Sequence, residues 1–131
     1  MDLGEFFPCL TVADLARSMD FYRRLDFQIV EDHSEDHWAV LQHNNMVLCL
    51  YQGHIDQNLI NFRGGDVPAI IEAARARGIE PEQDAELHPD GSYAATLRDP
   101  DGNAIFFNTF PGERAVYEEQ GRLIQHGKDR K

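Results

Sequence analysis

Apolar and polar residues follow two patterns along this chain, one of helical period and one of period two. Apolar residues at helical spacing predict a first amphipathic helix over about 13–24, with Asp14 as its N-cap. The same spacing predicts a second helix that begins after Asp66 and ends at Gly78. The two predicted helices divide the chain into similar halves.

Alternation of apolar and polar residues predicts the strands. The sequence His43-Asn44-Asn45 predicts a hairpin turn. The order is strand, helix and three strands, and it occurs twice. The predicted strands are 6–12, 27–31, 38–42 and 46–51 in the first half, and 59–63, a short strand near Ile79, 93–98 and 104–110 in the second.

This repeat predicts an α+β fold of two tandem βαβββ modules. The caps Asp14 and Asp66 are 66 − 14 = 52 residues apart, and the strand that precedes each helix fits the same offset. We expect a single domain over 1–131, with module one at about 5–52 and module two at about 58–110. A polar tail, 113–131, carries a weak helical stripe and either packs on the body or frays.

Composition narrows the function classes. The net charge is −11, from 23 acidic and 12 basic residues, which argues against binding to nucleic acid or to an anionic membrane surface. No apolar run is long enough to span a bilayer, and the N-terminus lacks a basic signal region. The sequence therefore predicts a cytoplasmic protein. Its two cysteines, Cys9 and Cys49, do not form a disulfide framework.

Two motifs carry a family resemblance. The turn Asp99-Pro-Asp-Gly-Asn103 leads into the last predicted strand, and the pattern from Val12 to Phe27 opens the chain. Together they resemble the vicinal oxygen chelate superfamily of glyoxalases, bleomycin-resistance proteins and dioxygenases, over about 6–110. The resemblance implies that the modules form a curled mixed sheet, or cup, with the helices outside. It also implies a homodimer.

Metal-using members of that superfamily place one ligand on the first and last strand of each module, usually two His and two Glu. By register, those positions here are Phe7, Cys49, Leu59 and Phe106. Three of these side chains have no lone pair, and one thiolate does not hold a hard divalent ion against water. The sequence therefore predicts no metal site and no cofactor, which puts every metal-dependent activity of the superfamily in doubt.

Strand alternation separates a core face from a cavity face. The core face is predicted to carry Leu10, Val12, Ile60, Phe62, Leu97, Ile105 and Phe107. The cavity face suits a flat organic ligand, although the same side chains would also fill a small cup completely. The predicted ligand-binding residues are Phe7, Cys9, Trp38, Cys49, Tyr51, Leu59, Asn61, Thr96, Phe106 and Asn108.

Charged and histidine-containing segments have two interpretations each. The segment His33–His37 is typical of a solvated turn rather than a metal site, because ligands four residues apart need a helix. Arg63 and Arg98 either steer an anionic ligand or pair with the nearby Asp66 and Asp99. We favour the solvated turn and the surface pairs.

Three functions follow from these patterns. The first is a binding protein of the bleomycin-resistance type, which holds a small aromatic or amphipathic molecule and has no catalytic residue. The alternative is an enzyme, either a metal-dependent lyase or dioxygenase of the glyoxalase type or a metal-free enzyme that uses Cys49 or Tyr51. The third is a structural dimer with a filled cavity. Fold alone does not decide among them, and we favour the binding protein.

Overall fold

The computed structural model describes residues 1–124. In that range the α+β class and the two βαβββ modules are confirmed. A short 3-10 turn, Ser34–Asp36, lies between the strands Gln28–His33 and Trp38–His43. The elements are β1 (Gly4–Phe6), β2 (Cys9–Thr11), α1 (Leu15–Arg23), β3 (Gln28–His33), β4 (Trp38–His43), β5 (Met46–Tyr51), β6 (Ile60–Gly64), α2 (Val67–Ala76), β7 (Gln83–Leu87), β8 (Tyr93–Arg98), β9 (Ala104–Thr109) and α3 (Glu113–Gln120).

Both predicted N-caps are confirmed. The Asp14 carboxylate accepts a hydrogen bond from the Arg17 backbone N–H at 3.2 Å, and the Asp66 carboxylate accepts one from Ala69 at 3.1 Å. Each cap satisfies a backbone donor that the first helical turn leaves without a partner. The two helices therefore begin in the same way, 52 residues apart, as the repeat predicts.

The end of α2 corrects the prediction of a strand near Ile79. Gly78, at φ +83°, donates to the Arg75 carbonyl at 3.0 Å, and Ile79 donates to the Ala74 carbonyl at 2.9 Å. These two bonds form a Schellman motif, so Ile79 belongs to the helix end. The strand lies further on, at Gln83–Leu87, which is mostly polar and pairs irregularly with β8.

The strand predicted over 6–12 is divided at Pro8. Proline has no N–H to donate to a ladder, so it interrupts a continuous strand. Its carbonyl accepts a hydrogen bond from the Cys49 backbone N–H at 2.9 Å. On one side of this break β1 pairs antiparallel with β6, and on the other β2 pairs in parallel with β5.

The chain divides into two compact units. The module-one unit contains Phe7–Asn58 and Ile124, and its four-stranded sheet has the order β2-β5-β4-β3. The module-two unit contains Met1–Phe6 and Leu59–Leu123, and its five-stranded sheet has the order β1-β6-β9-β8-β7. Each sheet is mixed, with one parallel pair in each, β2–β5 and β6–β9.

Each module packs its helix on one face of its own sheet. In module one the core comprises Leu15, Met19, Ala39, Leu41, Leu48 and Leu50, with Leu10 and Val12 packed against it. In module two it comprises Val67, Ile70, Ile71, Ala74, Ala95, Leu97 and Phe107, with Phe62 and Ile105 packed against it. The predicted core is confirmed except for Ile60, which begins β6 and is 39% exposed.

The predicted helical stripe of the tail is partly realised. Helix α3 ends at Gly121, at φ +73°, and the Tyr117 hydroxyl donates to the Asp2 carboxylate at 2.8 Å. The Leu123 backbone N–H donates to the Glu5 carboxylate. The remainder of the tail, 125–131, lies outside the described residues. None of the helices within 1–124 has the length and apolar character needed to cross a membrane.

Candidate ligand-binding site

One row of aromatic side chains crosses the module-one sheet on the face opposite α1. His33 lies opposite Trp38, and Trp38 lies opposite Tyr51. The His33 and Trp38 rings stack with centroids 3.9 Å apart and planes at 15°, and the Trp38 and Tyr51 rings stack at 5.7 Å and 17°. His54 meets Tyr51 edge-on at 5.8 Å. We call these four side chains the aromatic row.

The turn between β3 and β4 positions the first ring of this row. His37 adopts a left-handed conformation, at φ +67°, and closes the turn by donating its N–H to the Ser34 carbonyl at 3.1 Å. The Asp32 carboxylate accepts hydrogen bonds from the Ser34 side chain and backbone, which lower the pKa of Asp32. His33 therefore faces Trp38 across the hairpin. The histidine segment is a turn, as predicted, but its first histidine joins the candidate site.

Polar groups border the aromatic row. His33 Nε2 lies 3.2 Å from Glu31 Oε1, and the two side chains are 40% and 31% exposed. His54 Nε2 lies 2.5 Å from the Asp36 carbonyl oxygen. Trp38 and Tyr51 are half-buried. The row thus combines flat apolar rings with hydrogen-bonding groups at its edges, a combination that suits an aromatic molecule.

The next row on the same face is fully buried. Cys9, Cys49 and Val40 are register neighbours across β2, β5 and β4, and they are 2%, 1% and 0% exposed. The Cys9 thiol donates to the Phe7 carbonyl at 3.3 Å, and Phe7 itself is 0% exposed. Of the predicted site residues in module one, Trp38 and Tyr51 therefore reach solvent, while Phe7, Cys9 and Cys49 are buried.

Sequence reasoning missed Gln42, which follows Trp38 and Val40 on the same face of β4. It is 2% exposed, its Nε2 donates to the Asn44 carbonyl at 3.2 Å, and its Oε1 has no hydrogen-bond partner among the described residues. The hydrogen bond to the Asn44 carbonyl distinguishes Nε2 from Oε1 in the Gln42 amide. The alternation that selected Trp38 would also have selected Gln42.

The corresponding face of module two is built from amides. Asn61, Phe106 and Thr96 share one row across β6, β9 and β8. Asn61 Nδ2 donates to the Phe106 carbonyl and to Asn108 Oδ1, both at 3.0 Å, and Asn61 is 3% exposed. Leu59, directly before β6, is half-buried. The structure therefore brings four of the predicted residues of module two together, with the Asn61 amide engaged by neighbouring backbone and side chain.

The two arginines predicted at this face pair with different carboxylates than expected. Arg63 Nη2 lies 2.6 Å from Glu113 Oε2, and these side chains are only 13% and 16% exposed. Arg98 Nε lies 2.9 Å from Glu82 Oε1. The predicted pairs with Asp66 and Asp99 are wrong, because the Asp66 carboxylate caps α2 and that of Asp99 accepts from Asn103 at 2.8 Å.

The four positions that the family resemblance assigns to a metal carry Phe7, Cys49, Leu59 and Phe106. Phe7 and Cys49 lie in module one, and Leu59 and Phe106 lie in module two. Phenylalanine and leucine side chains have no lone pair, and the single thiol of Cys49 supplies one ligand where a divalent ion takes four or more. Within residues 1–124, no group of three or more His, Cys, Asp or Glu side chains is arranged to hold a metal ion.

Three surface grooves of about 360–400 Å³ lie elsewhere on the two modules. Two border α1, and the third runs along α2. The exposed ring of Phe21, 51% exposed, contributes to one of them. They are lined by residues other than those predicted for the cavity.

Several solved structures share this fold. One is an NAD-dependent benzaldehyde dehydrogenase from Legionella pneumophila (TM-score 0.68, 19% identity, 80% of this chain and 98% of that one). Another is a glyoxalase/bleomycin resistance protein/dioxygenase superfamily member from Vibrio splendidus 12B01 (TM-score 0.60, 14% identity, 79% and 97%). A third is a Streptomyces coelicolor methylmalonyl-CoA epimerase variant in complex with 2-nitronate-propionyl-CoA (TM-score 0.62, 20% identity, 85% and 97%).

At these identities the likeness concerns the fold alone. No curated protein matches the chain. The model of the Glyoxalase/Bleomycin resistance protein/Dioxygenase superfamily matches residues 7–107. Because that match covers most of its length, the chain belongs to the Glyoxalase/Bleomycin resistance protein/Dioxygenase superfamily.

Proposed function

We propose that this chain binds a small aromatic or amphipathic molecule at the aromatic row, without a metal ion. The observation that carries the proposal is the stacked arrangement of His33, Trp38 and Tyr51 across three strands. Aligned rings on a rigid sheet offer a flat ligand a stacking partner at little cost in side-chain entropy. The half-buried Trp38 and Tyr51 give the ligand both an apolar contact and access from solvent.

Charge narrows the ligand class to neutral or cationic molecules. Glu31 borders the row beside His33, and the whole chain carries a net charge of −11. Both features raise the local concentration of cations and repel anions. Arg63 and Arg98, the basic residues predicted at the cavity face, are already engaged by Glu113 and Glu82. A planar cation would also be attracted by the faces of the aromatic rings.

The side chains at the superfamily's metal positions support binding without a metal. The side chains of Phe7, Leu59 and Phe106 have no lone pair to offer a divalent ion in exchange for its hydration. Metal-dependent lyase or dioxygenase chemistry of the glyoxalase type is therefore disfavoured. We expect elemental analysis of the purified protein to give less than stoichiometric divalent metal. An ion at one equivalent that survives dialysis and is lost on mutation of a side chain would contradict this part of the proposal.

A fluorescence titration tests ligand binding directly. Trp38 is the only tryptophan, so its emission reports on the row. We expect 9-aminoacridine, a planar cation, to give a saturable change, and 8-anilinonaphthalene-1-sulfonate, an anion, to bind more weakly. Tyr51→Leu should weaken acridine binding about tenfold, since an aromatic contact contributes about 0.5–1.5 kcal/mol beyond its area.

The matched control is Phe21→Leu, which removes an exposed ring from α1 in the same module. It should leave the acridine affinity unchanged, and calorimetry should give the same affinities as fluorescence. A wild-type protein that shows no saturable response to either probe would favour a filled, non-binding face. Equal losses in Tyr51→Leu and Phe21→Leu would show that the probe binds elsewhere.

We also propose that the protein acts in the cytoplasm as a homodimer. The homodimer is supported by the resemblance to the superfamily, whose members are typically dimeric. Sedimentation velocity at micromolar concentration tests the dimer, and a single monomeric species would contradict it.

A further inference from the structure

The two cysteines are direct neighbours on adjacent strands. Cys9 in β2 and Cys49 in β5 are register partners in a parallel pair, although 40 residues separate them in sequence (49 − 9). Alternation places both side chains on the face opposite α1. Both are thiols, and they are 2% and 1% exposed. The only two cysteines of the chain are thus placed together by the fold.

This placement satisfies the spacing that a disulfide requires. Hydrogen-bonded strands lie about 4.8 Å apart, and disulfide-linked residues have Cα atoms about 4.4–6.8 Å apart. Side chains of register partners on the same face also point in the same direction. We propose that Cys9 and Cys49 form a dithiol that a hydroperoxide oxidises to a disulfide between β2 and β5. This inference is independent of the proposed ligand.

The chemistry proceeds in two balanced displacements. One cysteine, as thiolate, attacks a peroxide oxygen; an S–O bond forms, the O–O bond breaks, and the leaving hydroxide takes a proton to become water. The second thiolate then attacks the sulfur of this sulfenic acid; the S–S bond forms, the S–O bond breaks, and a second water leaves. Hydrogen peroxide is reduced by two electrons, and the two thiols are oxidised by two.

Burial directs the reaction toward this internal disulfide. A hydroperoxide as small as hydrogen peroxide can enter through local opening, whereas a bulky thiol meets side chains that are almost fully covered. Once one sulfur is oxidised, the nearest thiol is the register partner on the adjacent strand. A mixed disulfide or further oxidation is therefore slower than ring closure.

Oxidation would also act next to the aromatic row. Thr11 and Tyr51 are the register pair that follows Cys9 and Cys49 on these two strands, on the same face. A disulfide would fix β2 to β5 beside the Tyr51 ring and close a loop of about 40 residues. Closing such a loop restricts the unfolded chain, so the oxidised protein should unfold at a higher temperature by several degrees.

The test is a thiol assay on folded protein. Reduced protein is desalted, treated with hydrogen peroxide, denatured in N-ethylmaleimide and weighed by mass spectrometry. We expect the oxidised wild type to lose two hydrogens, to take up no maleimide, to remain a single chain on a non-reducing gel and to gain both maleimides after reduction. Peptide mapping should find the Cys9 peptide joined to the Cys49 peptide.

The control is the double variant Val47→Cys/Cys49→Val, which moves one thiol two residues along β5 on the same buried face. Val47 is 1% exposed, so composition and burial are kept, but the second thiol is now out of register with Cys9. Two residues along a strand add about 6.6 Å, which takes the Cα separation beyond about 7 Å. Circular dichroism before oxidation confirms that this variant is folded.

Folded wild type that forms the disulfide, beside a folded control that does not, supports the proposal. Disulfide formation in both proteins would show that register is irrelevant and would overturn it. Wild type that keeps both thiols under peroxide, forms a disulfide-linked dimer or accumulates sulfinic acid would overturn it as well. If the control does not fold, Cys9→Ser and Cys49→Ser serve in its place, and either should end in a sulfenic acid or an unchanged thiol.

Discussion

The two modules begin alike and differ on the faces that point away from their helices. Both helices start at an aspartate cap and pack apolar residues on one side of a mixed sheet. On the opposite face, module one presents stacked rings and two thiols, whereas module two presents hydrogen-bonded amides and a nearly buried ion pair. Features that specify the backbone are thus shared by the two halves of the repeat, while those that determine chemistry differ.

This difference explains why ligand binding is assigned to module one. Asn61 and Arg63 already have partners inside module two, so a ligand there would have to displace existing bonds. Contacts within the aromatic row are ring stacking, so a flat molecule that displaces one ring can replace the contact it breaks. The comparison supports the proposal that the ligand binds module one, and we expect the polar contacts of module two to contribute to stability.

The largest expected effect is the loss of the Arg63–Glu113 pair in module two. We expect Glu113→Gln to lower the free energy of unfolding by about 2 kcal/mol, because it leaves a nearly buried guanidinium opposite a neutral group. Glutamine keeps the oxygen that accepts from the Phe110 N–H at 2.9 Å. Urea unfolding followed by circular dichroism measures the change.

The control for that variant is Arg75→Met, which breaks an exposed pair with Asp84 in the same module. Those side chains are 42% and 59% exposed, so the loss should be much smaller than for Glu113→Gln. Equal losses of unfolding free energy in the two variants would mean that burial does not make the Arg63–Glu113 pair more stabilising than the exposed pair. The polar contacts of module two would then have no special role in stability.

The helix caps should have a smaller and equal effect in the two modules. Asp14→Ala and Asp66→Ala each remove an acceptor of a first-turn N–H, so each should cost about 1 kcal/mol of unfolding free energy. Asn at either position should restore most of it. Asp20→Ala, in the middle of α1 with an exposed partner in Arg24, is the control and should cost less than about 0.5 kcal/mol. Unequal losses of unfolding free energy would show that the two caps, although alike in structure, do not contribute equally to stability.

Sequence predicted best those features that a local rule determines. The caps at Asp14 and Asp66 and the helix-facing core follow from side-chain chemistry and period, and both are confirmed apart from Ile60. Pro8 by itself predicts a break, because proline cannot donate a backbone hydrogen bond to a neighbouring strand. The apolar alternation around it favoured one continuous strand, whereas the structure has two.

Features that depend on which strands or side chains pair could not be predicted from local sequence. Strand β7 has two apolar side chains, of which Ala85 packs on the module-two core and Leu87 is 58% exposed, so it gives almost no alternation signal. The partner of Arg63 lies 50 residues away in α3. The stacking of His33 on Trp38 and the pairing of Cys9 with Cys49 need strand register, which composition does not supply.

The smallest expected effect is the loss of stability at low pH, and it should differ between the two modules. Among residues 1–124, hydrogen bonds lower the pKa of Asp2, Asp84, Asp90 and Asp99 in the module-two unit, but only that of Asp32 in module one. A carboxylate whose pKa is lower in the folded state stabilises above its unfolded pKa, near 3.8, and this contribution is lost as pH falls through the folded pKa. Acid should therefore weaken module two more than module one.

Asp99→Asn tests this at one turn. The Asp99 carboxylate accepts from the Asn103 side chain and backbone, both at 2.8 Å, and these bonds lower its pKa. The variant should be slightly less stable than wild type at pH 7, and the difference should shrink as the pH falls through the folded pKa of Asp99, which lies below 3.8. Urea midpoints from circular dichroism should move, while those from Trp38 fluorescence, which report on module one, should stay. A shift of both by the same amount would mean that the two modules unfold as one, and the acid comparison between them would fail.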